Sequence, residues 1–198
     1  MAKKRLIKSK AKLNYKGLHS FLFVDHVTEG KSVRGAMEKI ASFAPTSGNV
    51  LFAHGFVGSF LGFAHLQVAQ DDLEAMERLF ADLQVMAGVG CSLAHETSVY
   101  DGPSGPMGPK RYPCEIVALI KIWVARGTTP AKVRDSVGNQ VGPTFRGVST
   151  VTGEFDILLE LQDSEFVPLT EVVENKIRTW PGVARIEVAY TDMRNEPQ

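Results

Sequence analysis

All five histidines of this 198-residue chain fall in its first half, at His19, His26, His54, His65 and His95. Imidazole is the side chain that exchanges protons near neutral pH and most often ligates metals, so a fold that gathers these residues would hold usable chemistry. Their spacing forms no compact metal motif, so only tertiary structure can assemble them. His19, His65 and His95 are expected on three strands, and His54 in a neighbouring hairpin arm. Strand parity groups His65 with Phe63 and Gln67 and sets it opposite Ala64, Leu66 and Val68, on the sheet face that carries no helices. Three outcomes stand open: a metal site of His19, His54, His65 and His95 for zinc, iron or haem; a polar pocket without metal; and separate structural roles. Cys91 can join His65 and His95 or serve as a small core residue.

Beyond the histidines the chemistry is sparse. Glu154 and Asp156 stand two residues apart at a hairpin, where no second catalytic group can be assigned to them. Ser104 lies in a Gly/Pro stretch rather than a nucleophile elbow, and no glycine-rich loop carries the lysine of a nucleotide-hydrolysing site. The two cysteines, Cys91 and Cys114, form no Cys-x-x-Cys pair. No motif therefore demands a cofactor, and no catalytic residue is assigned.

The elements that must position these groups repeat. Leu18–Val24 reads as a strand and Ser32–Phe43 as an amphipathic helix. Val50–Val57 and Gly62–Val68 read as a hairpin, Leu73–Leu83 as a helix with Asp71 and Asp72 at its favourable end, and Cys91–Val99 as a strand. The second half repeats the order: strand Ile116–Val124, a helix capped by Thr128 or Thr129 with Pro130 in its first turn, hairpin Phe145–Thr152 and Phe155–Leu161, helix Val167–Ile177 and strand Val183–Tyr190. The expected fold is α+β, two tandem ferredoxin-like βαββαβ modules forming a pseudo-dimer like a dimeric αβ barrel.

The domain boundaries follow: a basic arm over 1–17, a first module over 18–99, a Pro/Gly-rich linker over 100–114, a second module over 115–192 and a tail over 193–198. Lys+Arg and Asp+Glu balance at 22 each, and hydrophobic content of 44% suits a soluble globular chain. Seven basic residues before Gly17 meet no acid, which leaves a mildly acidic body. Without an apolar signal segment or a membrane-spanning run, and with only two cysteines, a cytoplasmic setting without membrane insertion is expected.

The second half resembles the effector-binding (RAM) domain of the Lrp/AsnC regulators. The resemblance rests on Val151-Thr152-Gly153-Glu154-Phe155-Asp156-Ile157-Leu158-Leu159, followed later by Trp180-Pro181-Gly182-Val183. It implies sheets paired in a dimer and a ligand-binding turn at Gly153, Glu154 and Asp156. There the backbone at Gly153 would receive a small ligand, and Asp156 would position a polar or ammonium group. The corresponding stretch of the first half, Val57 to Phe63, has no counterpart of Asp156. Fewer than 20 residues precede the first strand, too few for the helix-turn-helix such regulators carry, so direct sequence-specific DNA binding is not expected.

The expected function is therefore binding of a small molecule, such as an amino acid, in a regulatory homo-oligomer. The alternatives are an αβ-barrel enzyme or metal- or haem-binding protein built on the histidines, and a structural oligomerisation module.

Overall fold

The computed structural model describes residues 17–45, 48–69, 72–101 and 116–191; the basic arm, most of the Pro/Gly-rich linker and the C-terminal tail lie outside them. Strand β1 (Leu18–Val27) leads to helix α1 (Val33–Ser42), the hairpin β2 (Asn49–Gly58) and β3 (Gly62–Val68), helix α2 (Leu73–Ala87) and β4 (Val89–Asp101). After the linker come β5 (Ile116–Val124), α3 (Pro130–Gln140), β6 (Phe145–Thr152), β7 (Ile157–Asp163), α4 (Phe166–Val172) and β8 (Val183–Thr191).

Local chemistry starts the helices where the sequence suggests. The Ser32, Asp72 and Thr129 side chains accept from the backbone N–H three residues on, and Pro130 occupies the first turn of α3. Several boundaries differ from expectation: β1 runs on to Val27, α2 to Ala87, and β4 spans Val89–Asp101. The last helix ends in a π-helical turn, Val173–Ile177, and β7 starts at Ile157, because Phe155 leaves the strand path and is buried in the interior.

The eight strands close into one barrel in the order β1-β3-β2-β8-β5-β7-β6-β4, with every neighbouring pair antiparallel. Within each half the order is β4-β1-β3-β2 and β8-β5-β7-β6, and the seams β2–β8 and β4–β6 join the halves. Closure removes all free edges, which an open four-stranded sheet would expose.

The halves correspond down to single hydrogen bonds. Phe56 N–H donates to Leu61 O (2.8 Å) and Leu61 N–H to Val24 O (2.7 Å) in the first hairpin; Val151 N–H donates to Asp156 O (2.9 Å) and Asp156 N–H to Ile122 O (3.0 Å) in the second.

Strand parity divides the apolar residues into three clusters. Leu22, Val24, Ala64 and Leu66 pack under α1 and α2; Ile120, Ile122, Leu159 and Leu161 pack under α3 and α4. The inward positions Phe21, Phe23, Phe56, Phe63, Leu119 and Leu158 fill the barrel together with Phe60 and Phe155 from the hairpin turns. Each such aromatic ring, fully buried, contributes about 1.5–3 kcal/mol.

Candidate functional site in the barrel interior

In a barrel whose neighbours are all antiparallel, alternate strands run the same way, so β3 and β7 share a direction. His65 on β3 and Glu160 on β7 are both two positions past an inward apolar residue, Phe63 and Leu158 respectively, and so lie toward the same rim. Gln67 and Gln162 occupy the next inward positions. This end of the interior is polar, whereas the other end, at the hairpin turns, is aromatic.

His19 and His65 are in direct contact, Nδ1 to Nε2 at 2.9 Å, and Gln67 Nε2 lies 3.4 Å from His19 Nε2. Burial holds His65 down to about 3, with the charge of His19 adding to the effect, and burial also lowers His19. Rings held neutral in this way accept hydrogen bonds at neutral pH, and His65, at about 3, is by the same token a weak base. Glu160 is only 7% exposed, and burial pushes its carboxyl up to about 8 against the opposing pull of Arg146. Beside it, Gln162 accepts from Arg146 Nε through Oε1 at 2.7 Å, while its buried Nε2 has no hydrogen-bond partner. Ser149 Oγ donates to Glu96 Oε1 at 2.6 Å.

The expected four-histidine set does not assemble as one cluster. His54 faces the interior opposite Phe63, with Nδ1 2.8 Å from Gly55 O. His95 lies on the opposite face of the sheet, because Ala94 takes the inward position; its Nδ1 is 2.7 Å from Ser20 Oγ, and burial lowers it against the pull of Glu77. Cys91 packs on the helix side and its thiol is pushed up to about 11 by burial, so it does not join His65. Among the described residues no three His, Cys, Asp or Glu side chains are grouped to hold a metal ion.

The Gly153–Asp156 turn is largely occupied by the protein itself. Asp156 Oδ2 accepts from Val124 N–H at 2.7 Å, tying the hairpin to the end of β5. A Cβ on Gly153 would stand 3.0 Å from Leu93 O and 3.2 Å from Ala94 Cα, so the close approach that glycine permits is made by β4. Glu154 is different: its backbone O accepts from Trp123 Nε1 at 2.7 Å, and its exposed carboxylate reaches within 3.9 Å of Lys121 Nζ.

Lys121, Glu160 and Gln162 were not among the residues that the sequence singled out. Their signal was available: a charged or amide residue at an inward position of otherwise apolar strands, Ile116–Val124 and Ile157–Asp163. On the outer surface, a cleft of about 550 Å³ lies between α3 and the Trp180-Pro181-Gly182 turn, lined also by Lys132, Ser136 and Gln140. Among the described residues, no helix is long and apolar enough to cross a membrane.

No family model matches the chain, and no curated protein matches it. Among solved structures it is similar to an anthrone oxidase-like protein, at a TM-score of 0.59 and 12% identity over 90% of this chain and 92% of that one. It is also similar to a protein described as a "putative monooxygenase from Lactobacillus acidophilus NCFM", at a TM-score of 0.51 and 11% identity over 89% of this chain and 93% of that one. Such identity speaks to fold alone, and the fold is a mixed α and β one with an eight-stranded antiparallel sheet, similar to the dimeric α+β barrel.

Proposed function

We propose that the protein is an enzyme that moves a proton on a small organic molecule held in the polar end of its barrel. One observation carries this reading: a neutral imidazole pair and a carboxyl that keeps its proton face the same end of one buried interior. General acid–base catalysis needs an acceptor and a donor that coexist at one pH, and burial supplies both states here. His19, whose ring His65 orients through their hydrogen bond, is the base, and Glu160 is the acid. The substrate class is a ketone whose carbonyl acidifies a C–H, directly or through a conjugated ring, of the anthrone kind named for one of the fold relatives. The two βαββαβ halves are read as tandem ferredoxin-like modules whose equivalent positions, His65 and Glu160, have diverged into the neutral partner of the base and the acid.

The test is exchange of the anthrone methylene protons in deuterated buffer, followed by NMR, with oxygen uptake recorded in parallel. Protein-dependent exchange is expected, reduced on the order of 100-fold in H19Q, as general-base removal does. Exchange no faster than in buffer, or equal in H19Q and the parent, would sink the reading.

A second reading is effector capture in a regulator of the Lrp/AsnC kind, and it rests on the Val151–Leu159 hairpin and on the exposed Glu154 carboxylate. It requires saturable amino-acid binding by calorimetry, weakened in E154Q, with no turnover. Regulation would further require that the ligand favour one oligomeric state over another.

A further inference from the structure

We propose that the aromatic end of the barrel, around Lys121, is a binding site for the carboxylate of a small aromatic acid. Lys121 takes an inward position on β5 and is 2% exposed. Its ammonium lies 4.3 Å from the centre of the Phe23 ring, 5.2 Å from Phe60 and 5.6 Å from Phe155. These ring faces attract a cation, yet they leave its three N–H donors without lone pairs to bond. The facing carboxylate, Glu154 Oε2, stands at 3.9 Å, outside hydrogen-bonding range. A cation buried with so little compensation gains from an anion that can approach more closely.

The mouth is built for exchange of that anion. The Glu154 side chain is 65% exposed and can swing into solvent. Its turn would stay in place, since the Glu154 carbonyl is held by Trp123 Nε1 and Asp156 holds Val124 N–H. A second cation, Arg185, lies over the Trp123 ring at 4.2 Å and pairs with Glu187, the register partner of Lys121. Glu154 thus stands where a ligand carboxylate would bind, and the half-buried Trp123, backed by the buried Phe155 at 5.9 Å between ring centres, offers apolar surface to an aromatic body. The site uses none of the residues assigned to proton transfer, and it stands or falls separately from that reading.

Calorimetry of the full chain with benzoate tests it, with neutral benzamide as the control. The parent is expected to bind benzoate saturably and to ignore benzamide. E154Q removes the internal competitor and is expected to bind benzoate up to about fivefold more tightly, the ratio that loss of one ion pair of this kind supports. K121M is expected to lose binding while melting no lower than the parent, because it replaces an under-compensated buried charge by an apolar chain of similar length. The proposal is overturned if neither the parent nor E154Q binds benzoate, if the two bind it equally, or if K121M binds as the parent does.

Discussion

E160Q is expected to become progressively more stable than the parent as pH rises from 4.5 to 8, and the gain to level off above that. The sign follows from proton linkage. The unfolded chain releases the Glu160 proton near 4.5, whereas the folded chain holds it to about 8. Over that window the folded state binds more protons, so each step up in pH favours unfolding; the contribution is fully present below 4.5 and lost as pH rises through 8. Each unit is worth about 1.4 kcal/mol, so the swing is on the order of 5 kcal/mol. His65 acts in the opposite sense. Its folded value of about 3 lies below the ordinary 6.5, so its contribution is present above 6.5 and lost as pH falls toward 3. H65Q should therefore gain on the parent at acid pH, where E160Q should not. Melting temperatures of the three proteins between pH 4 and 9 check this, and differences independent of pH would show that neither group is held away from its ordinary titration.

G58A is expected to be the most damaging single-methyl change at the junction of the halves. Gly58 has φ +142°, and a Cβ there would stand 2.5 Å from Val188 O and 2.8 Å from Ala189 Cα. Both obstacles are backbone of the neighbouring strand, so relief means moving β8. That seam is short, with three paired positions, Phe56 to Gly58, against six in the β4–β6 seam. A strained backbone combined with overpacking gives losses of about 2–4 kcal/mol. The corresponding G153A has φ +149° but a nearest approach of 3.0 Å, and should cost less. Denaturant midpoints rank the two, and a reversed order would mean that the β2–β8 seam yields more easily than its geometry implies.

The α and β elements were legible because their signals are local. Apolar period, capping side chains and Pro130 act within a few residues, and the structure places elements accordingly. Parity also placed His65 correctly, on the face away from Ala64, Leu66 and Val68. It could not place His95, whose facing depends on β4 presenting Ala94 inward against Phe21. The turn at Gly153–Asp156 shows the same limit. Glycine and aspartate are what a ligand-binding turn would use, and they are equally what a hairpin needs to pass β4 closely and to cap the N–H of Val124.

By itself the sequence determined the order of elements, their repetition in two halves and the inward sense of His65 along its strand, because backbone sterics and the period of a strand are short-range. Only the tertiary structure decided which inward residues share a space. Closing the barrel brings His65 and Glu160 to one end although 95 positions separate them, and puts Lys121 against Phe23 from the other half. Burial then sets the protonation of His65 and Glu160, since a charge taken out of water depends on every strand around it.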